Sequence, residues 1–319
     1  MNVKTNLGRI LDGVEADKLK CNAAIIKLLC DKTILAWIMK YTIDVYKECT
    51  IEEIRECIEG VPEIHKQKVN PGRTPEEISQ MSENELIIDE GESYFDIRFC
   101  AYTPDGELNK MIVNIEAQND YYVEYDIVTR AIFYCARMLS SQYGKEFTNS
   151  QYQNIRKVYS IWICPDVPQR VEYTITSYKM SKFDIYGRAL EDDYYDLLEA
   201  VIICLGKEKN KSKGTKLHRL ISTLLSTSIK VKDKKQVLKQ EFDIDTSVEL
   251  EERMRNMCNL ADGIEARAME KGIQKGHAEG KLEILVTLVI DGLLDKAVAA
   301  DRAGMSVESF DELVASMQF

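Results

Sequence analysis

Tyr94-Phe95-Asp96-Ile97-Arg98-Phe99-Cys100-Ala101-Tyr102 and then Lys110-Met111-Ile112-Val113-Asn114-Ile115-Glu116-Ala117-Gln118 are the two stretches that decide the fold. Both alternate with a period of two, the mark of a strand with two different faces. In the first, Asp96 and Arg98 share one face, and Phe95, Ile97 and Phe99 share the other. In the second, Ile112, Asn114, Glu116 and Gln118 lie opposite Met111, Val113, Ile115 and Ala117. Pro104-Asp105-Gly106 sits between them, and Asp-Gly favours a tight hairpin turn. If the two polar faces coincide, Asp96 and Glu116 meet on one side of a sheet with Gln118 beside them. Two carboxylates that close repel unless a cation lies between them. Mg²⁺ suits such a place, because it needs only one or two carboxylates plus water and substrate phosphate. Taken alone, the spacing also fits an exposed strand face carrying ordinary surface acids.

Working outward, residues 123–142 change to helical spacing, with Val128, Ala131, Ile132, Cys135, Met138 and Leu139 on one apolar side. Arg130, Tyr134, Arg137 and Ser141 then form a polar stripe opposite it. Residues 157–164, 173–180 and 197–205 read as further strands. Before the hairpin, residues 23–41 carry helical periodicity, and Thr50 with Glu53 forms a capping box that starts a short helix to Ile58. Residues 60–80 hold three Pro and two Gly and read as a loop. The order of helices, hairpin, helix and strands gives an α/β domain ending near Gly206.

Past Gly206 the charge changes. The whole chain carries 42 basic and 53 acidic side chains, a net charge of −11. Residues 207–239 hold eleven Lys and Arg against two acids, a local +9 that leaves −20 for the rest. This block reads as a basic linker or helices over 207–245. It and the Arg130–Arg137 helix side are the expected places for contact with phosphate. Residues 246–319 read as a helical tail. Leu250, Met254, Met257, Ala261, Ile264 and Ala268 make a coiled-coil-like seam suited to self-association. Gly272, Gly276 and Gly280 follow along one side, and two short helices around Gly304 form a hairpin.

Several classes are excluded. No apolar run approaches the roughly 18 residues of a membrane span. The first seventeen residues lack the apolar core of a secretory signal. The nine Cys form no C-x-x-C pair, and none of the three His sits at zinc-ligand spacing from a Cys or another His. Free thiols in a reducing cytoplasm are the expectation.

The ordered set Tyr94-Phe95-Asp96-Ile97-Arg98, Asn114-Ile115-Glu116-Ala117-Gln118, Thr129-Arg130-Ala131-Ile132-Phe133-Tyr134, Leu139-Ser140-Ser141-Gln142 and the strand from Lys157 to Ile163 resembles the PD-(D/E)xK nuclease superfamily. The likeness is to its transposase-like, recombination-promoting branch. The resemblance implies a restriction-endonuclease-like core, a mixed central sheet flanked by helices, over residues 1–206, with a helical C-terminal extension. It implies a metal-dependent DNA endonuclease linked to recombination or transposition. Asp96 and Glu116 would bind Mg²⁺ or Mn²⁺. Gln118 would stand where the superfamily pattern usually has Lys, as this branch commonly does. Arg130 and Tyr134 would contact substrate or support the carboxylates, with Gln142 a further candidate. One of Asp12, Glu15, Asp17 and Asp31 would complete the acid set. Because Gln brings no positive charge, the alternative is a weak or inactive nuclease fold that acts as an interaction protein through its tail.

Overall fold

The computed structural model describes residues 15–62, 96–105, 110–117, 126–190, 195–206 and 213–317. Helices α1 (Glu15–Leu29), α2 (Lys32–Thr42) and α3 (Ile51–Cys57) come first. One helical pattern over residues 23–41 is thus two helices. The break is chemical: the Asp31 side chain accepts the N–H groups of Thr33 and Ile34 and starts a new helix. Such a cap satisfies donors that the first turn leaves orphaned. Thr50 and Glu53 form the reciprocal capping box expected for α3.

Strands β1 (Ile97–Tyr102) and β2 (Lys110–Ala117) form the antiparallel hairpin, followed by α4 (Ile127–Ser140). Strands β3 (Val158–Cys164), β4 (Thr174–Lys179) and β5 (Leu198–Cys204) complete a mixed five-stranded sheet of order β1-β2-β3-β5-β4. The β2–β3 and β3–β5 pairs are parallel, and the β4–β5 pair is antiparallel. Every residue of the central strand β3 is buried, as a parallel strand covered on both faces requires. This is the restriction-endonuclease-like α/β arrangement.

On one sheet face, Ile112, Val158, Trp162, Cys164, Ala200, Ile202 and Cys204 pack against Ile127, Ala131, Tyr134, Cys135 and Met138 of α4. The alternate residues turn the other way, and α1 packs against β2. The helix shows a rotation from the expected stripe. Ile132 and Phe133 are exposed, while Tyr134, Arg137 and Ser141 are buried. The buried arc is therefore shifted toward the polar stripe, because Tyr134 seats against the Trp162 ring at a centroid separation of 5.4 Å.

Helices α5 (Lys216–Leu225) and α6 (Val231–Phe242) occupy most of the basic block, and they pack on each other. The first compact unit spans Met1–Ala261 and takes in both helices. Helix α7 (Val248–Ile290) starts there with Leu250, Met254 and Met257 buried, the first half of the expected seam. The second half, Ala261, Ile264 and Ala268, has side chains outside the described set.

The second unit spans Asp262–Phe319 and contains the end of α7 with α8 (Lys296–Ala303) and α9 (Val307–Met317). Leu285, Val286, Ala299, Ala300 and Phe310 form its small core. Gly304 ends α8 at φ +71°, a backbone setting that suits glycine. Among the described residues, Gly276 and Gly280 have no neighbouring atom within 4 Å of where a Cβ would stand, so they mark no close helix contact there. No described helix is long and apolar enough to cross a membrane.

Candidate active site

The hairpin register decides whether the two acids meet. Ile97 lies opposite Ile115 and Arg98 opposite Asn114, which continues to Asp96 opposite Glu116 one step before β1. Two hydrogen bonds lock that step. The Asp96 N–H donates to Glu116 Oε1 at 3.1 Å, and the Ala117 N–H donates to Asp96 Oδ2 at 2.9 Å. Each acid thus accepts a backbone donor from the strand that carries the other. Glu116 is only 6% exposed. The alternative of ordinary surface acids does not describe this pair.

Two neighbours set the electrostatics. Asn114, fully buried two residues before Glu116, donates from Nδ2 to Glu116 Oε1 at 3.1 Å. Its own carbonyl oxygen has no hydrogen-bond partner among the described residues. Arg130, from the first turn of α4, donates to the Tyr134 hydroxyl at 2.8 Å, and its guanidinium carbon lies 5.2 Å from both the Tyr134 and Trp162 ring centroids. Planar guanidinium stacks well on such faces. Asp126 caps α4 by accepting the Val128 and Thr129 N–H groups, which fixes where Arg130 leaves the helix.

Burial pushes the Asp96 carboxyl up, against the opposing pull of the Ala117 N–H and of Arg130. Burial and then the Asp96 charge push Glu116 well above the ordinary carboxylate range, against Asn114, the Asp96 N–H and Arg130. The physical content is one site with too much negative charge for its dielectric and one resident cation that offsets part of it. The Tyr134 hydroxyl is raised by burial and then by Glu116.

The other expected residues are placed as follows. Gln118 lies outside the described residues. Gln142 is almost fully buried, and both ends of its carboxamide bind the Arg156 backbone. Nε2 donates to the carbonyl at 2.9 Å, and Oε1 accepts the N–H at 2.7 Å. It clamps the end of α4 to the approach of β3. Asp31 is the α2 cap, Asp12 lies outside the described residues, and the side chains of Glu15 and Asp17 are likewise undescribed.

Some of the charges expected to meet phosphate are engaged. Arg137 is buried with its guanidinium 5.3 Å from the Phe133 ring. In the basic block, Arg219 pairs with Glu241, Lys235 with Glu251, and Lys239 with Asp243 and Asp245. Lys234 is fully buried, with Nζ donating to the Leu224 carbonyl at 2.8 Å.

Sequence reading missed Asn114 as the polar partner of Glu116 and Trp162 as the wall behind Arg130. Asn114 had a signal, since it shares the Glu116 face. Trp162 had none, because it reaches Glu116 only through the parallel β2–β3 register that pairs the two.

A family model described as PD-(D/E)XK nuclease family transposase matches residues 77–283. The chain belongs to this family. The match contains the whole of β1 to β5, both carboxylates, α4 and most of α7. The hairpin acids and the α4 arginine therefore fall inside the shared domain. No curated protein matches the chain, and no solved structure does.

The donor set fits a hard divalent cation. Asp96 and Glu116 supply charged oxygens, and the unpartnered Asn114 carbonyl is the kind of acceptor that ordered water satisfies. Among the described residues no group of three His, Cys, Asp or Glu gathers at one place. Asp96 and Glu116 would hold such an ion, and Mg²⁺ commonly takes one or two carboxylates with water and substrate in its other positions.

Proposed function

We propose that the chain is a metal-dependent DNA endonuclease that hydrolyses phosphodiester bonds during recombination or transposition. The observation that carries this reading is the buried pairing of Asp96 with Glu116 across the hairpin, each held by a backbone N–H of the other's strand. Desolvated acids that repel one another are costly as structure alone, and a cation turns that cost into a binding site. Asp96 and Glu116 would hold Mg²⁺ or Mn²⁺, which when bound supplies an acidified water and offsets charge on the phosphate.

The chain's own residues do the rest. The Asp96 and Ala117 N–H groups fix the two carboxylates, so little reorganisation is needed when substrate arrives. Asn114 orients Glu116. Arg130, stacked on Trp162 and Tyr134, presents positive charge beside the carboxylates and can pass a hydrogen bond to a phosphate oxygen. Gln118 would orient the attacking water by accepting its proton in a hydrogen bond, without the charge that a Lys would bring.

The test is nicking of supercoiled plasmid by purified protein with Mg²⁺ or Mn²⁺, alongside Asp96→Ala and Glu116→Ala. Activity lost in both variants supports the reading, and equal activity in all three proteins overturns it. The second reading, a weak or inactive nuclease fold working as an interaction protein through its tail, rests on the neutral Gln118. It is favoured if wild type binds Mn²⁺ at Asp96 and Glu116 yet leaves plasmid intact.

A further inference from the structure

Residues 180–190, which leave the edge strand β4 and turn back toward β5, carry the most conspicuous unassigned surface of the first unit. Phe183 is 83% exposed, Ile185 99%, Tyr186 100% and Leu190 91%. The loop has a built shape. Lys182 Nζ donates to the Leu190 carbonyl, the Ala189 N–H donates to Asp184 Oδ1 at 3.4 Å, and Gly187 turns the chain at φ +70°. These bonds tie the loop's polar groups to each other and leave its apolar side chains in water. Beside it, β4 bonds only β5 among the described strands, and all its residues but Ile175 are exposed. An open strand edge is a ready template for another chain.

We propose that this surface, loop 180–190 with the adjoining edge of β4, is where a second copy of the chain docks in a two-fold dimer. Three observations commit the surface to that occupant. The four side chains offer on the order of 700 Å² of mostly apolar area, above the usual largest patch of a monomer and near the ~800 Å² each partner gives to a stable interface. The loop's charges are of both signs, Lys182 and Arg188 with Asp184, which suits a patch that meets itself. A phosphate backbone calls for one sign instead.

Position gives the third observation. Lys179 pairs with Glu199 and Glu199 with Tyr159, near the start of the parallel strands, whereas Glu116 pairs with Trp162 near their ends. The loop therefore leaves the sheet at the end away from the carboxylates, so docking there leaves the site free. This surface is distinct from the tail seam suggested by the sequence, and the inference does not depend on nuclease activity.

Light scattering on the full chain from about 1 to about 100 µM tests it. Wild type should approach twice its 36.6 kDa mass. Ile185→Asp with Tyr186→Asp should weaken association by at least ~30-fold, the scale of losing a buried anchor, with circular dichroism and the unfolding midpoint unchanged. Met269→Asp with Ile273→Asp, on the exposed face of α7, should leave the dimer intact. A wild type that stays monomeric throughout overturns the proposal. So does a dimer that survives the loop variant, or one lost only in the tail variant. A monomer whose Tyr186 is shielded from labelling only when plasmid DNA is added overturns it in favour of a nucleic-acid surface.

Discussion

Gln142 separates a framework role from a site role by magnitude. Truncation to Ala removes an acceptor at 2.7 Å from the Arg156 N–H and a donor at 2.9 Å from the Arg156 carbonyl. A polar group left unpaired in full burial costs about 1–3 kcal/mol. The Arg156 groups are part-buried, so water recovers some of that, and each contributes toward the lower end. Adding the lost packing of the buried stem, at ~0.8 kcal/mol per methylene, Gln142→Ala should cost about 2–4 kcal/mol. Gln142→Glu keeps the acceptor and loses the donor, and its carboxylate then faces the Arg156 carbonyl. It should cost about 3–5 kcal/mol at pH 8, where the charge is buried without a partner, and less at pH 4, where a protonated carboxyl donates again. Urea unfolding followed by tryptophan fluorescence reads this, because both Trp residues, Trp37 and Trp162, are buried in the first unit. The midpoint should fall with the slope unchanged. A loss under about 0.5 kcal/mol in Gln142→Ala, accompanied by collapse of plasmid nicking, would refute the clamp and return Gln142 to the site.

Other outcomes follow from the same geometry. Glu116 is raised by burial and by Asp96, so its contribution to stability is complete below the ordinary carboxylate range and is lost as pH rises through its raised folded value. Metal-free wild type should therefore lose thermal stability with rising pH. Glu116→Gln should flatten that dependence, and an equally steep profile in the variant would count against the raised carboxyl. A Cβ added at Gly206 would stand 1.9 Å from the Tyr173 ring. Gly206→Ala should thus destabilise by about 1–3 kcal/mol in chemical unfolding, and Tyr173→Ala in the same background should recover part of it. Asp31→Ala removes a cap that holds two N–H groups and should cost about 1 kcal/mol, with Asp31→Asn costing less. Arg130→Lys keeps the charge but loses the planar stack on Trp162 and Tyr134. It should lower nicking at saturating metal by about tenfold or more while fold and unfolding midpoint hold.

What the sequence disclosed was local. The alternation of residues 94–102 and 110–118, with Asp-Gly between, is enough to place Asp96 and Glu116 on one face, because a hairpin register depends on near neighbours. Thr50 and Glu53 announced their helix for the same reason. Most of the misses are non-local. Nothing in residues 127–140 says that Tyr134 will turn inward onto Trp162 and leave Ile132 and Phe133 outside, since that preference comes from a strand more than twenty residues away. The charge of residues 207–239 is a count along the chain, whereas the structure brings Glu241, Asp243, Asp245 and Glu251 back onto three of its eleven bases, Arg219, Lys235 and Lys239. Gln142 was read as a site group because a carboxamide has the same donors and acceptors whether it holds a water or a backbone. Asp31, offered as an acid for the site, instead caps α2 through the Thr33 and Ile34 N–H groups, a local bond.

The hairpin that carries the acids is closed at one end and open at the other. Asp96 and Glu116 stand at the open end, and the register runs through six residue pairs to Tyr102 and Lys110 at the closed end, about 20 Å away at strand rise. New sequence grafted between Asp105 and Lys110 would add at a place where it need not disturb the carboxylates. The two strands thus carry the paired acids at one end and their connection at the other. That separation lets the connection between the strands change in length while the paired carboxylates keep their register.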